Sequence, residues 1–174
     1  IIDNSNLYYT PTASDLGYVI GPQLNAASRV DDSSLPSKLL ISKDNIEIEQ
    51  ISRKLILFNK KRKLIENNIF DEALIQAKKQ ITNKFIIAHG FGWHKGVLGI
   101  IASRLINQFY KPTIVISFNQ TEGVGSARSI DKIDLGSIIL SAKNKGLLKT
   151  GGGHKMAAGL RIEKNLLDDF HLYL

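Results

Sequence analysis

Between Asp44 and about Thr82 the apolar residues Ile51, Leu55, Phe58, Ile65, Ile69, Ala73 and Ala77 recur in steps of three and four once the gap at Arg62 is bridged. This spacing predicts one long amphipathic helix over 44–82. At 1.5 Å per residue it would reach roughly 50 Å, more than one face of a compact domain needs, and it reads as a helix joining two lobes. Ahead of it, residues 1–43 mix turn-formers (Asp3-Asn4-Ser5-Asn6 and Asp31-Asp32-Ser33-Ser34) with an apolar "YVIGP" and a short helical stretch near Leu35–Ile41.

After Thr82 the period changes. "KFIIAHG" is a continuous apolar run of strand length, "KGVLGIIASRLINQF" carries a helical stripe at Val97, Ile100, Ile101, Leu105 and Ile106, and "PTIVISF" is again a strand. A β–α–β order implies parallel pairing through a right-handed crossover. "GVGSARSI" is a possible third, short strand. "DLGSIILSAKNKG" is a helix with Asp134 as N-cap and Gly146 ending it, and a strand "AAGLRI" and a terminal helix from about Asn165 follow. The expected fold is α/β: a small, mainly parallel sheet flanked by helices over 83–174, preceded by the long helix.

Composition narrows the class. The chain has 174 residues, 43% hydrophobic and 22% charged, which is the range of one globular core with an extra element. No apolar run approaches the roughly 20 residues of a membrane span, and no charged-then-apolar leader opens the sequence. There is no cysteine, so disulfides and thiolate metal sites are excluded, and a reducing compartment, the cytoplasm, is the expectation. The net charge of +7 suits a polyanionic partner. The only methionine is Met156, and the chain is expected to be part of a longer protein.

Three stretches carry candidate chemistry. In "GGGHKMAAGL", Gly151 to Gly153 would let main-chain amides approach an anion closely, as in glycine-rich nests, with His154 and Lys155 beside them and Ala157, Ala158 and Gly159 keeping bulk away. A tight turn with glycine chosen for geometry alone is the plain alternative. "SARS" places Arg128 between the hydroxyls of Ser126 and Ser129, a set of phosphate donors. "GWHKGVLGIIASRL" sets Trp93 and His94 directly before a helix that also bears Arg104; an aromatic beside cations can stack a base, although Trp93 suits a core equally well. The basic run "NKKRK" at 59–63 suits either phosphates or a solvated helix face. Metal-dependent phosphodiester hydrolysis needs clustered carboxylates and histidines. Asp31-Asp32 and Asp168-Asp169 are isolated pairs, and His89, His94, His154 and His171 share no ligand-like spacing with them.

Taken together, these segments resemble the RecJ family of single-stranded-DNA-specific exonucleases in the DHH phosphoesterase superfamily. "GWHKGVLGIIASRL…KPTIVIS", "GSARS", "GGHKMAAG" and, upstream, "IGPQLNAASRV" are similar to that family's motifs in the same order. The resemblance implies that 1–43 ends a catalytic DHH domain, that 44–82 connects, and that 83–174 is the DHH-associated nucleic-acid-binding domain. It also implies a 5′→3′ exonuclease of DNA repair and recombination that uses divalent Mg or Mn held outside this chain. Single-stranded DNA would be the substrate, and a single-strand-binding protein or helicase a possible partner. Carried over residue by residue, the nucleic-acid-facing set is Asn25, Arg29, Trp93, His94, Arg104, Ser126, Arg128, Ser129, Gly152, Gly153 and His154. Gln23, Ser28 and Ala127 depart from the family pattern of Arg, Gly and Gly; the lost arginine would weaken phosphate binding locally. A non-catalytic binding member of the superfamily and a phosphodiesterase of short oligonucleotides or cyclic dinucleotides remain the alternatives.

Overall fold

The computed structural model describes residues 2, 5, 7–30 and 33–174; Asp3, Asn4, Asn6 and the Asp31-Asp32 pair lie outside the described residues. The chain divides into two compact units, Ile1–Ile65 and Glu66–Leu174, with the division inside the long helix rather than at its predicted ends.

In the first unit, Thr12 caps the short helix α1 (Ala13–Asp15) through a reciprocal box: its hydroxyl accepts from the Asp15 amide while the Asp15 carboxylate accepts from the Thr12 amide. A π-turn over Leu16–Ile20 leads into α2 (Gly21–Val30), and α3 spans Leu35–Ile41 as expected, with Pro36 in its first turn. Ala27, Leu39, Ile51 and Leu55 form its small core. The long helix α4 runs Asn45–Lys78. Its predicted stripe is buried at Ile51, Leu55, Ile69, Ala73 and Ala77, and the apparent gap is filled by Arg62 itself, which is buried and donates from Nε and Nη2 to Asn59 Oδ1 at 3.1 and 3.0 Å.

The second unit is built on a five-stranded sheet: β1 (Ile86–Phe91), β2 (Thr113–Phe118), β3 (Glu122–Arg128), β4 (Thr150–His154) and β5 (Ala157–Glu163), in spatial order β1-β2-β3-β5-β4. Of these strand pairs only β1–β2 is parallel, joined by α5 (Leu98–Phe109); β2–β3, β3–β5 and β4–β5 are antiparallel. The sheet is therefore mixed and mostly antiparallel, not mainly parallel. The short β2–β3 and β4–β5 links are the reason: a few residues can reverse a strand but cannot carry the crossover a parallel pair needs. Asp134 caps α6 (Leu135–Asn144) by accepting from the Ser137 amide at 3.1 Å, and Gly146, at φ 77°, ends that segment as predicted. A 3₁₀ turn at Lys164–Leu166 precedes α7 (Leu167–Tyr173).

The two faces of the sheet are covered unequally. On one face Ile114, Ile116, Phe118, Ala127, Ala158, Leu160 and Ile162 pack with Leu135, Ile139 and Ala142 of α6 and Phe170 of α7. On the other, α5 packs on β2 and β3, whereas Gly152, His154, Gly159 and Arg161 of β4 and β5 are exposed. The outer edge of β1 is closed by Gln76 of α4 and by Gln80 just beyond it. The Gln80 amide accepts from Ile87 N–H (3.0 Å) and donates to Ile87 C=O (2.7 Å), and Gln76 repeats both bonds with His89 (2.9 and 2.8 Å). Four residues of helix rise about 6 Å and two residues of strand about 6.7 Å, so two glutamines one turn apart imitate the missing neighbour strand.

Candidate nucleic-acid interface

The glycines of "GGGH" are strand, not turn. Gly151, Gly152 and Gly153 lie in β4, paired with Leu160, Gly159 and Ala158, and none has positive φ, so the expected anion nest of alternating helical hands is not formed. An antiparallel strand turns its amides toward its partner only at alternate residues. The three glycines also differ in role. A Cβ at Gly153 would lie 2.4 Å from Ala157 O and 2.5 Å from Ala158 Cα, and one at Gly151 would lie 2.7 Å from Ile139 Cγ2. A Cβ at Gly152 would meet nothing within 4 Å, and one at Gly159 only Gly125 O at 4.0 Å. Gly151 and Gly153 are thus glycine for packing. Gly152 and Gly159 form an open floor without side chains.

The register shows what borders that floor. Residues paired across strands share a face, so Ser126, Gly159 and Gly152 form one row, Arg128, Ala157 and His154 the next, and Val124, Arg161 and Thr150 the row on the other side. Ser126, Arg128, Gly152 and His154, four residues expected at the site, are brought together here. The Arg128 guanidinium lies against α5 at Gly99, where a Cβ would come within 2.7 Å of Nη2, and it donates from Nη1 to Ser126 Oγ (3.2 Å) and Ala127 O (2.9 Å). A glycine on the helix is what lets the arginine lie between helix and sheet. Ala127 departs from the family glycine, but its methyl is buried in the α6-side core, on the face opposite Ser126 and Arg128, so it takes no space from the floor.

The other expected residues have different surroundings. Trp93 is buried; its indole lies over Gly90, where a Cβ would stand 2.1 Å from the ring, and its N–H donates to Glu72 Oε2 at 3.0 Å. Arg104 turns to α4, donating to Glu66 Oε1 and Asn67 Oδ1 at 3.0 Å each, with its guanidinium 3.7 Å from the Phe70 ring centroid. Ser129 is buried and its hydroxyl donates to Ile133 O at 2.9 Å. Trp93 and Ser129 are committed to the interior, and Arg104, half-buried, to α4. Arg104, named in the nucleic-acid-facing set, directs these bonds to α4. His94 caps the following 3₁₀ turn by accepting the Gly96 N–H at Nδ1 (3.2 Å), which puts the proton of the neutral ring on Nε2. Asn25, exposed, and Arg29, half-buried, belong to α2 of the first unit. Gln23 there is buried and donates to Ser5 Oγ at 2.8 Å, while its Oε1 has no hydrogen-bond partner among the described residues.

Sequence reasoning missed Arg161 on the open face, Gly99 and Gly90 at the close approaches, and Gln76 and Gln80 at the sheet edge. The alternation of "AAGLRI" was the available signal for Arg161: Ala158, Leu160 and Ile162 point to the core, so Gly159 and Arg161 point away.

The second unit is thus a mixed five-stranded sheet with a glycine floor on its uncovered face, reached by the "SAR" strand and bordered by Arg128 and Arg161. The DHHA1 family model matches residues 82–171, and the chain belongs to that family. Among curated proteins it is similar to the single-stranded-DNA-specific exonuclease RecJ of Haemophilus influenzae, 37% identical over 93% of this chain and 30% of that protein. It is likewise similar to RecJ of Bacillus subtilis, 32% identical over 88% of this chain and 20% of that one. Among solved structures, RecJ from Thermus thermophilus in complex with Mg2+ superimposes with a TM-score of 0.87 at 29% identity, covering 99% of this chain and 26% of that chain. The chain thus spans less than a third of the length of these relatives. Among the described residues no group of three or more His, Cys, Asp or Glu is placed to hold a metal ion. No helix among them is long and apolar enough to cross a membrane.

Proposed function

We propose that the open face of β3, β5 and β4 is where this chain holds single-stranded DNA, as the strand-gripping part of a RecJ-like exonuclease that degrades from the 5′ end in DNA repair and recombination. The observation that carries the reading is the side-chain-free floor of Gly152 and Gly159 set between Arg128 with His154 on one side and Arg161 on the other. A floor without Cβ atoms lets a sugar–phosphate backbone approach the strands, and cations on both sides attract phosphates whatever the base. The named activity of the RecJ relatives supports the same reading. Hydrolysis in this reading uses Mg or Mn held by residues other than those described here, so no hydrolytic step is assigned to this chain's side chains. Its place of work is the cytoplasm, and a single-strand-binding protein or a helicase that delivers the strand is the partner it implies.

Arg128→Gln tests the proposal. In the full-length protein it should weaken binding of a labelled oligothymidylate about fivefold at 0.1 M salt, since each phosphate neutralised on a single strand carries a log–log salt slope of about 0.7. The slope itself should fall by that amount. Equal affinity and equal slope in the variant would refute it. Turnover of oligomers two to five nucleotides long, with long strands left intact, would instead favour a short-oligonucleotide phosphodiesterase.

A further inference from the structure

Beside the glycine floor, and continuous with it through the Val124–Arg161 row, lies a cleft of about 480 Å³ between the Gly92–Lys95 turn and strands β3 and β5. Its walls include His94, Lys95, Asn119, Glu122, Val124 and Arg161. We infer that this cleft is a second nucleotide subsite, beyond the reach of a dinucleotide seated at the Arg128–His154 position, with Arg161 and Lys95 on the phosphate and Val124 against the base. The inference rests on the reading of the open face as a single-strand site.

Three observations support it. The first is spacing: Arg161 is four residues along β5 from Ala157, the partner of Arg128, so the two arginines stand roughly 13 Å apart along the strand direction. That separation is too long for one phosphate and leaves room for a further nucleotide step. The second is charge. The carboxylate lining the cleft, Glu122, is ion-paired with Lys149, which holds its carboxyl below the usual carboxylate range. Glu163, opposite Glu122 in the register, also faces Lys149. Lys95 and Arg161 are both exposed, and Arg161 adds a weaker pull to that of Lys149 on the Glu122 carboxylate. The cleft therefore presents two exposed cations beside one carboxylate that Lys149 already pairs. The third is chemistry: His94, with Nδ1 occupied by the Gly96 amide, carries its proton on Nε2 and can offer a hydrogen bond to a phosphate or base oxygen without becoming charged.

The test uses anisotropy with 5′-labelled oligothymidylates of two, four, eight and sixteen nucleotides on the full-length protein, comparing the parent, Arg161→Gln and Arg128→Gln. Arg161→Gln should bind the dinucleotide like the parent and the longer strands about fivefold less tightly at 0.1 M salt, the contribution of one phosphate contact. Arg128→Gln should weaken all lengths. Lys95→Gln should follow Arg161→Gln, and circular dichroism melting checks that both variants fold. If the parent binds long strands and Arg161→Gln binds every length like it, the second subsite is refuted while the open-face reading stands. Equal loss at every length would also refute it, placing Arg161 in the first subsite. If the parent binds no strand at all, the open-face reading fails and the subsite with it.

Discussion

Gly152 and Gly153 are neighbours in one strand, yet the structure assigns them opposite consequences when a side chain is added. At Gly153 the new Cβ would meet Ala157 O at 2.4 Å, Ala158 Cα at 2.5 Å and Ala158 Cβ at 2.7 Å, and two of these three atoms are partner-strand backbone, which no rotamer change can move. Overpacking of that kind costs about 1–3 kcal/mol, partly offset by the 0.5–1 kcal/mol or so that alanine saves in unfolded-chain entropy. Gly153→Ala should therefore lose about 1 kcal/mol net if the strand pair must open, or roughly 4–8 °C in melting temperature for a domain near a hundred residues. At Gly152 nothing lies within 4 Å, and a β-branched residue suits an exposed strand position, so Gly152→Val should melt at or slightly above the parent temperature. Its isopropyl group stands on the floor, however, and should cost about tenfold in affinity for single-stranded DNA, roughly 1.4 kcal/mol. Differential scanning calorimetry and fluorescence anisotropy on the two variants read the two effects separately. Parent-like binding by Gly152→Val would refute the floor as a contact surface, and parent-like melting by Gly153→Ala would refute the packing argument for the third glycine.

Arg104→Gln removes a part-buried ion pair and the stacking on Phe70, so it should lower stability by about 1–2 kcal/mol in urea titration while leaving the salt slope of DNA binding unchanged; a reduced slope would make it a phosphate contact after all. Gln80→Ala strips Ile87 of both edge bonds and should cost about 1–2 kcal/mol and promote concentration-dependent association through the bared edge of β1, seen by analytical ultracentrifugation; Gln76→Ala, at a more exposed position, should cost less. Burial holds the His89 imidazole below its ordinary value, against a smaller opposing pull from Asp168, so the fold favours its neutral form. The stability this contributes is present above the unfolded value near 6.5 and is lost as pH falls through the lower folded value. His89→Gln should flatten the melting-temperature decline below about pH 6.5, and an unchanged profile would show that another group governs it.

Much of the architecture is written locally. The three-four spacing of Ile51, Leu55, Ile69, Ala73 and Ala77 specifies α4, the capping side chain of Asp134 and the left-handed Gly146 delimit α6, and the continuous run "TIVISF" marks a strand buried on both faces. Each depends on neighbours within a turn or two, where periodicity and side-chain chemistry act directly. The motifs "SAR" and "GGGH" likewise mark the candidate site, although "GGGH" reads as a turn and forms a strand, and four of their expected residues do meet.

What the sequence left open was every choice made between segments far apart in the chain. "GGGH" reads as a nest or a tight turn until β5 pairs with it and makes it a strand; pairing then makes Gly153 a packing residue and Gly152 an open one. Trp93 and Arg104 carry the composition of a base-stacking, phosphate-binding surface, but α4 supplies Glu72, Glu66 and Phe70, which draw Trp93 inward and Arg104 onto the helix. Arg161 carries no motif at all, and becomes a site residue because register places it beside the floor. Strand pairing and helix docking are set by the summed burial of apolar faces rather than by any one residue. Which polar groups end inside and which face solvent is therefore a property of the assembled sheet.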